Sequence, residues 1–385
     1  MFRRYVLGQG ISLVGFWMQN VAQGWLVYRI SGSEMALGVV AFCAYLPVLL
    51  VAPSAGVFAD RVRKRELILC TQTLAMLLAL GLGALAWTDH VSVPIVAGFA
   101  AALGLVGAFD LPARQAFLVD LVGGDDLPSA IALNASIFNV ARVVGPAIAG
   151  TLVGLIGEAP CFVLNGVSYL AVLWALWGMP SRPAHPGSRL AGEGLAEGLR
   201  YVRARPEQAA LLIALGFVSG LALTANVLMP AFSERVFGAG ASGYGLLLTA
   251  YGGGAVFAAL RLASRHWTKP QHRRHVLAGL LVFAAGLLGV AASPSFAVAL
   301  ALQAVAGFGM LHFTATTNAL IQLLVDDRYR GRVMGLHTVM FMGTAPIGSL
   351  VLGAVAQPLG PRAALLLAGL VPAGALLFLR RRIHG

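Results

Sequence analysis

The chain has 385 residues, of which 58% are hydrophobic and 11% charged, with a mean hydropathy of +0.82. Soluble domains carry roughly 25% charged residues, so this composition cannot coat a water-facing globule. The formal net charge of +12 does not mark a nucleic-acid partner, because the arginines sit in short loops between apolar runs and no basic groove or RNA/DNA module is visible.

A hydrocarbon core about 30 Å thick is crossed by about 20 helical residues. In chain order, apolar runs predict crossings at 5–28, 35–58, 67–88, 92–121, 129–157 and 160–179. They continue at 208–233, 243–263, 275–292, 296–325, 332–358 and 362–379. The stretch 275–325 contains no Asp, Glu, Lys or Arg and is too long for one crossing; Ala292-Ser293-Pro294-Ser295 supplies the turn inside it. The predicted fold class is therefore an all-α membrane protein of twelve transmembrane helices, with both termini on one side. All but four of the 27 Lys and Arg residues fall on that side. Arg29, Arg235 and Arg362 lie opposite, and Arg142 falls inside a span. The arginine-rich side is the cytoplasmic one, where anionic headgroups attract it. Arg3 and Arg4 precede a first apolar segment with polar residues inside it, which reads as a retained helix, not a cleaved signal. Cys43, Cys70 and Cys161 lie in or beside apolar spans without metal-type spacing and read as core residues.

The longest connection, 180–207, divides the chain into 1–179 and 208–385. Pro183, Pro186 and Gly187 open it, and Leu195, Leu199 and Val202 then recur at i, i+4, i+7, with Arg200, Arg203 and Arg205 for the other face. This reads as a short amphipathic helix along the membrane surface, or else as a solvated linker. The halves echo each other. Gln115-Ala116-Phe117-Leu118 resembles Asn318-Ala319-Leu320-Ile321, and Gly145-Pro146 falls 200 residues before Ala345-Pro346. A six-plus-six duplication of this kind places a substrate site near the bilayer midplane.

Arg142 sits roughly 20 Å into the fifth span, and Asp110 roughly 16 Å from the cytoplasmic end of the fourth. A charge at such depth costs at least about 2.5–3.5 kcal/mol and needs a partner or a wet cavity. Two pairings satisfy this: Asp110 with Arg142 at matched depth, or Asp110 with Arg114 at i, i+4. A carboxylate sharing a site with a guanidinium changes its proton affinity when their separation changes, which makes Asp110, Arg142 and Arg114 the candidates for proton coupling. Trp17, Gln19, Asn20, Gln23, Asn134, Asn226, His312 and Asn318 are candidate cavity residues, each equally suited to joining helices by hydrogen bonds. His312 and His337 read as structural, hydrogen-bonded histidines. No metal-ligand spacing and no phosphate-binding glycine loop is present, so neither a metal, nor a cofactor, nor ATP is expected.

Two strings carry a family resemblance. Gly56-Val57-Phe58-Ala59-Asp60-Arg61-Val62-Arg63-Lys64-Arg65 resembles the loop 2–3 signature of the major facilitator superfamily, with Arg63 where the second glycine stands. Ala141-Arg142-Val143-Val144-Gly145-Pro146-Ala147-Ile148-Ala149-Gly150 is similar to its antiporter motif, with Ala141 and Ala149 replacing two glycines; Pro146 bends the helix. Gly15-Phe16-Trp17-Met18-Gln19, Phe109-Asp110-Leu111-Pro112-Ala113-Arg114-Gln115-Ala116, Ser242-Gly243-Tyr244-Gly245 and Arg330-Gly331-Arg332-Val333-Met334-Gly335 resemble its enterobactin-exporter and macrolide-efflux branch. Phe16 stands where some members carry an aspartate. The resemblance implies two six-helix bundles with pseudo-two-fold symmetry in a bacterial inner membrane. It also implies export of amphipathic small molecules by proton exchange, and a cytoplasmic latch of Asp60 with Arg330 or Arg332. One chain supplies both halves, so a monomer is expected, with substrate, protons and lipid as its partners. An uptake permease or a lysolipid flippase of the same fold is the alternative. A membrane-embedded enzyme or a sensor lacks its signs, namely paired catalytic groups at matched depth or a soluble output domain.

Overall fold

The computed structural model describes residues 2–122, 126–179, 191–263 and 267–383, and among these the regular structure is helical, without a strand. The first six helices are α1 (Phe2–Ser31), α2 (Glu34–Arg61), α3 (Lys64–Trp87), α4 (Val93–Val122), α5 (Leu127–Ile156) and α6 (Ala159–Trp177). A shorter helix, α7 (Ala191–Arg203), follows. The next crossing is composite: α8 (Pro206–Phe217), a π-helical turn Val218–Ala222, a 3-10 stretch Leu223–Leu228 and α9 (Met229–Phe237). Then come α10 (Gly240–Ala263), α11 (Lys269–Ala292), α12 (Phe296–Leu324), α13 (Arg330–Met342) and α14 (Ala345–Ile383).

Ten stretches of the described residues are long and apolar enough to cross a membrane. The difference from twelve has two physical sources. The first helix has Arg3, Arg4, Gln9, Gln19, Asn20 and Gln23 along its 30 residues, which lowers its hydropathy without shortening it. The last stretch, Asp327–Arg382, is 56 residues long, far more than one crossing requires. Inside it Gly360 leaves helical geometry at φ 82°, a conformation that favours glycine. Many large apolar side chains are exposed, Trp177 at 81% and Leu155 at 76% among them. Such a surface belongs against acyl chains, since soluble proteins keep exposed apolar patches small.

The chain forms two compact units. The first comprises Met1–Gly32, Cys43–Ala191 and Gly240–Gly245. Within it α1 packs on α5 and α6, and α3 on α4 and α6. Tyr5, Ala59, Ile68, Ala113, Phe117, Val172, Leu176 and Met179 make one buried cluster, in which Tyr5 meets Phe117 edge-on at 5.4 Å. The second comprises Ser33–Phe42, Gly192–Ala239 and Leu246–Gly385. There α11 packs between α12 and α14, with Phe232, Phe283 and Phe313 fully buried.

The linker helix buries part of its apolar face within the second unit. Tyr201 and Val202 are buried while Leu199 is exposed, and Tyr201 is packed on the second unit's Tyr329 with ring centroids 4.3 Å apart. The earlier linker residues, 180–190, are outside the described residues.

Candidate functional site

Asp110 lies two residues before Pro112 in α4 and is buried. From α3, the Thr71 hydroxyl donates to its Oδ1 at 2.6 Å and the Gln72 amide at 2.9 Å. Its Oδ2 stands 2.5 Å from Nε of Arg114, one turn further along α4. That N–H has no aligned acceptor, so the contact is an ion pair by proximity. Both side chains are largely enclosed, 12% and 18% exposed. The i, i+4 pairing of the sequence is thus present. Arg142 has its guanidinium over the Trp17 ring at 5.6 Å, and Trp17 meets Phe138 edge-on at 5.6 Å. Depth alone leaves helix rotation open and does not choose between the two pairings.

The loop 2–3 string is built into the first unit by its cations. Arg63 pairs with Glu66 at 3.0 Å, and Lys64 with Asp120 at the end of α4 at 2.7 Å. Arg65 donates to the carbonyls of Leu176 and Trp177 at 2.9 and 3.0 Å. These carbonyls lie at the C-terminal end of α6, where the helix carries partial negative charge. Arg61 is exposed, and among the described residues a Cβ added at Gly56 would meet nothing within 4 Å. The side chain of Asp60, and with it the expected latch, lies outside the described residues. Arg330 is paired with Asp327, and Arg332 with Glu197 of α7 at 2.6 Å.

Along the antiporter-type string, the small residues do permit close approach. A Cβ at Gly145 would fall 2.5 Å from Cβ of Trp17, and one at Gly150 would fall 2.8 Å from Cα of Gly245. Ser242 donates to the Gly150 carbonyl at 3.1 Å. Pro146 lies between these two contacts, and its own carbonyl faces Gly245.

Two cavity candidates join one element to another by hydrogen bonds. Gln19 is buried and accepts from the Asn165 amide at 2.6 Å, joining α1 to α6. Asn226 accepts from Gln303 at 2.9 Å. Asn20 donates to its own helix at Phe16, and Asn318 accepts from Gln322 four residues on. Asn134 is exposed, and Gln23 half-buried. His312 lies 3.2 Å from His275, which stacks on Trp267 at 3.7 Å. Among the described residues no group of three or more His, Cys, Asp or Glu could hold a metal ion. Replacing Gln19 with leucine should strand the Asn165 amide and cost about 1–3 kcal/mol, read as a lower thermal midpoint in detergent.

Sequence reasoning missed Glu34. It opens α2, and its carboxylate is fully buried, 2.5 Å from Arg235 of α9. Beside it, Gln357 of α14 accepts from the Ser33 hydroxyl at 2.8 Å and from the Met35 N–H at 3.1 Å. Gln357 therefore serves an otherwise orphaned donor at the start of α2. A second missed pair, Arg29 with Glu158 at 2.7 Å, lies in the first unit. The available signal was scarcity: few carboxylates sit on the side where Arg29 and Arg235 are placed.

The model of the transmembrane secretion effector family matches residues 1–384. The chain belongs to that family. It is a transporter of the major facilitator superfamily, not an enzyme. A staphyloferrin A transporter of Staphylococcus aureus (strain NCTC 8325 / PS 47) is 25% identical over 359 residues, covering 91% of this chain and 88% of the relative. The multidrug efflux pump Tap of Mycolicibacterium fortuitum is 28% identical over 377 residues, covering 93% and 88%. Among solved structures, the nucleoside transporter NupG superposes with a TM-score of 0.79 at 10% identity, covering 100% of this chain and 99% of that one. A bacterial homologue of the lysosomal transporter Spinster, inward-facing and occupied, gives 0.77 at 14% identity, covering 100% and 96%. At those identities the structures speak for the major facilitator fold alone.

Proposed function

We propose that this family member is a proton-driven exporter of amphipathic small molecules, working by alternating access in a bacterial inner membrane. On this reading twelve crossings form two six-helix lobes, 1–179 and 208–385, with both termini in the cytoplasm and one chain sufficient for activity. The loop string then acts as the cytoplasmic latch through Asp60 with Arg330 or Arg332. The family's secretion-effector description and a multidrug efflux relative along 93% of the chain support outward movement of such molecules.

The observation that carries the proton reading is the enclosed Asp110 carboxylate, held by Thr71, Gln72 and Arg114. A proton arriving at Asp110 removes its charge and loosens its hold on Arg114, while Thr71 and Gln72 still bond the neutral acid. A buried site whose polar partners serve one protonation state better than the other transmits proton binding to its neighbours. Trp17, with the Arg142 guanidinium over its ring and Phe138 edge-on to it, is an aromatic group suited to an amphipathic substrate.

The test is ethidium efflux by purified protein in liposomes under an imposed pH gradient. Asp110→Asn keeps the shape and should abolish gradient-driven efflux while leaving downhill exchange measurable. Full gradient-driven efflux by that variant would reject Asp110 as the proton carrier.

A further inference from the structure

The linker helix α7 is fastened to the connection between α12 and α13 by a layered contact. Arg205 lies over the Tyr201 ring at 3.6 Å, Tyr201 stacks on Tyr329 at 4.3 Å, and Arg332 lies over Tyr329 at 5.4 Å. Both outer arginines are charge-paired, Arg205 with Asp326 at 3.2 Å and Arg332 with Glu197 at 2.6 Å. The Tyr201 hydroxyl donates to the Asp326 carboxylate and accepts the Asp326 N–H, each at 3.0 Å. Gly198 completes the seat, since a Cβ there would stand 3.0 Å from the Arg332 carbonyl. Residues 197, 198, 201 and 205 recur at helical spacing, so one face of α7 and the short extension after it carry these contacts.

The aromatic centre of this contact is buried at Tyr201, but its ion pairs are open to water. Glu197 is 38% exposed, Arg332 33% and Asp326 64%. Ion pairs of that exposure are weak and salt-sensitive, unlike the apolar packing that holds α11 between its neighbours. Its grip nevertheless falls on Arg332, in the first turn of α13.

We propose that α7 is a detachable restraint: docked, it holds Arg332 and the first turn of α13; undocked, it releases them and speeds the transport cycle. Glu197 and Tyr201 are then positioning residues. The inference builds on the reading of this chain as an alternating-access transporter, but docking itself is measurable without any substrate.

Spin labels at Arg203→Cys on α7 and Leu323→Cys on α12, in protein with Cys43, Cys70 and Cys161 replaced by serine, report the docking distance. The expected result is a short distance with a minor longer component. The longer component should grow in Glu197→Gln, in Tyr201→Phe and in about 1 M salt. Glu197→Gln should also raise ethidium turnover in liposomes about two- to fivefold, the range one half-exposed ion pair commands, with KM unchanged and Glu197→Asp restoring the parent rate. A distance distribution unmoved by Glu197→Gln, Tyr201→Phe and salt would make α7 a permanent part of the second unit and overturn the proposal. A shifted distribution with unchanged or slower turnover would overturn it too, because docking would then not restrain the cycle. Failure of the Asp110→Asn test leaves the distance result intact, so the two readings fall separately.

Discussion

Replacing Arg235 with alanine should destabilise the protein far more than replacing Glu34 with glutamine, although the two residues form one ion pair. The asymmetry follows from burial: Glu34 is fully enclosed, whereas half of the Arg235 side chain meets solvent. Removing the arginine leaves a charged carboxylate in a closed site, whose second oxygen already lacks a partner. Breaking a buried pair from that side costs about 3–5 kcal/mol. Glu34→Gln removes the buried charge and leaves a guanidinium that water can reach, so its cost should stay near 1 kcal/mol. The double variant, Glu34→Gln with Arg235→Gln, should recover most of the loss, since replacing both members of a buried pair is often close to neutral. Thermal unfolding of detergent-solubilised protein, followed by loss of the monodisperse peak, measures all three. Equal damage from both single variants would mean that the pair acts through something other than an uncompensated charge.

The second large effect is expected at Gly348. A Cβ there would stand 1.4 Å from the Gly220 carbonyl oxygen, which sits in the π-helical turn Val218–Ala222. Ordinary contacts begin near 3.5 Å, so Gly348→Ala forces backbone from backbone by roughly 2 Å. Overpacking usually costs 1–3 kcal/mol, and more where backbone must yield; here the upper end or beyond is expected, seen as low yield and aggregation. The paired control is Gly374→Ala, beyond the Gly360 break in α14, where a Cβ meets nothing within 4 Å among the described residues. That change should be neutral or stabilising by about 0.5–1 kcal/mol, because alanine suits a helix better than glycine. If Gly348→Ala behaves like Gly374→Ala, the close seat of α14 on the π-turn is not a requirement of the fold.

The spans were legible because their signal is local: a run of apolar residues is either long enough to cross lipid or it is not. Most predicted runs coincide with a helix to within a few residues, as 67–88 does with α3 and 296–325 with α12. The composite crossing through Val218–Leu228 was read as plain helix, since nothing in its composition announces a π-turn. The polar partners were harder. Asp110 with Arg114 could be read because i, i+4 spacing fixes both residues on one helix face. Asp110 with Arg142, Glu34 with Arg235 and Gln19 with Asn165 all depend on which helices adjoin and how each is rotated. A single sequence encodes neither. The linker helix shows the same limit: its amphipathic spacing was visible, but an apolar stripe does not say whether lipid or protein will cover it.

The makeup of the two units bears on any attempt to build hybrids with relatives. The opening of α2, Ser33–Phe42, belongs to the second unit, and the opening of α10, Gly240–Gly245, to the first. A chimaera spliced at the linker would seat foreign residues opposite Gln357 and Arg235, and against Gly150, even though each donor half is whole. Grafts that carry those two short segments along with their adopted unit should express, where a straightforward swap of halves fails.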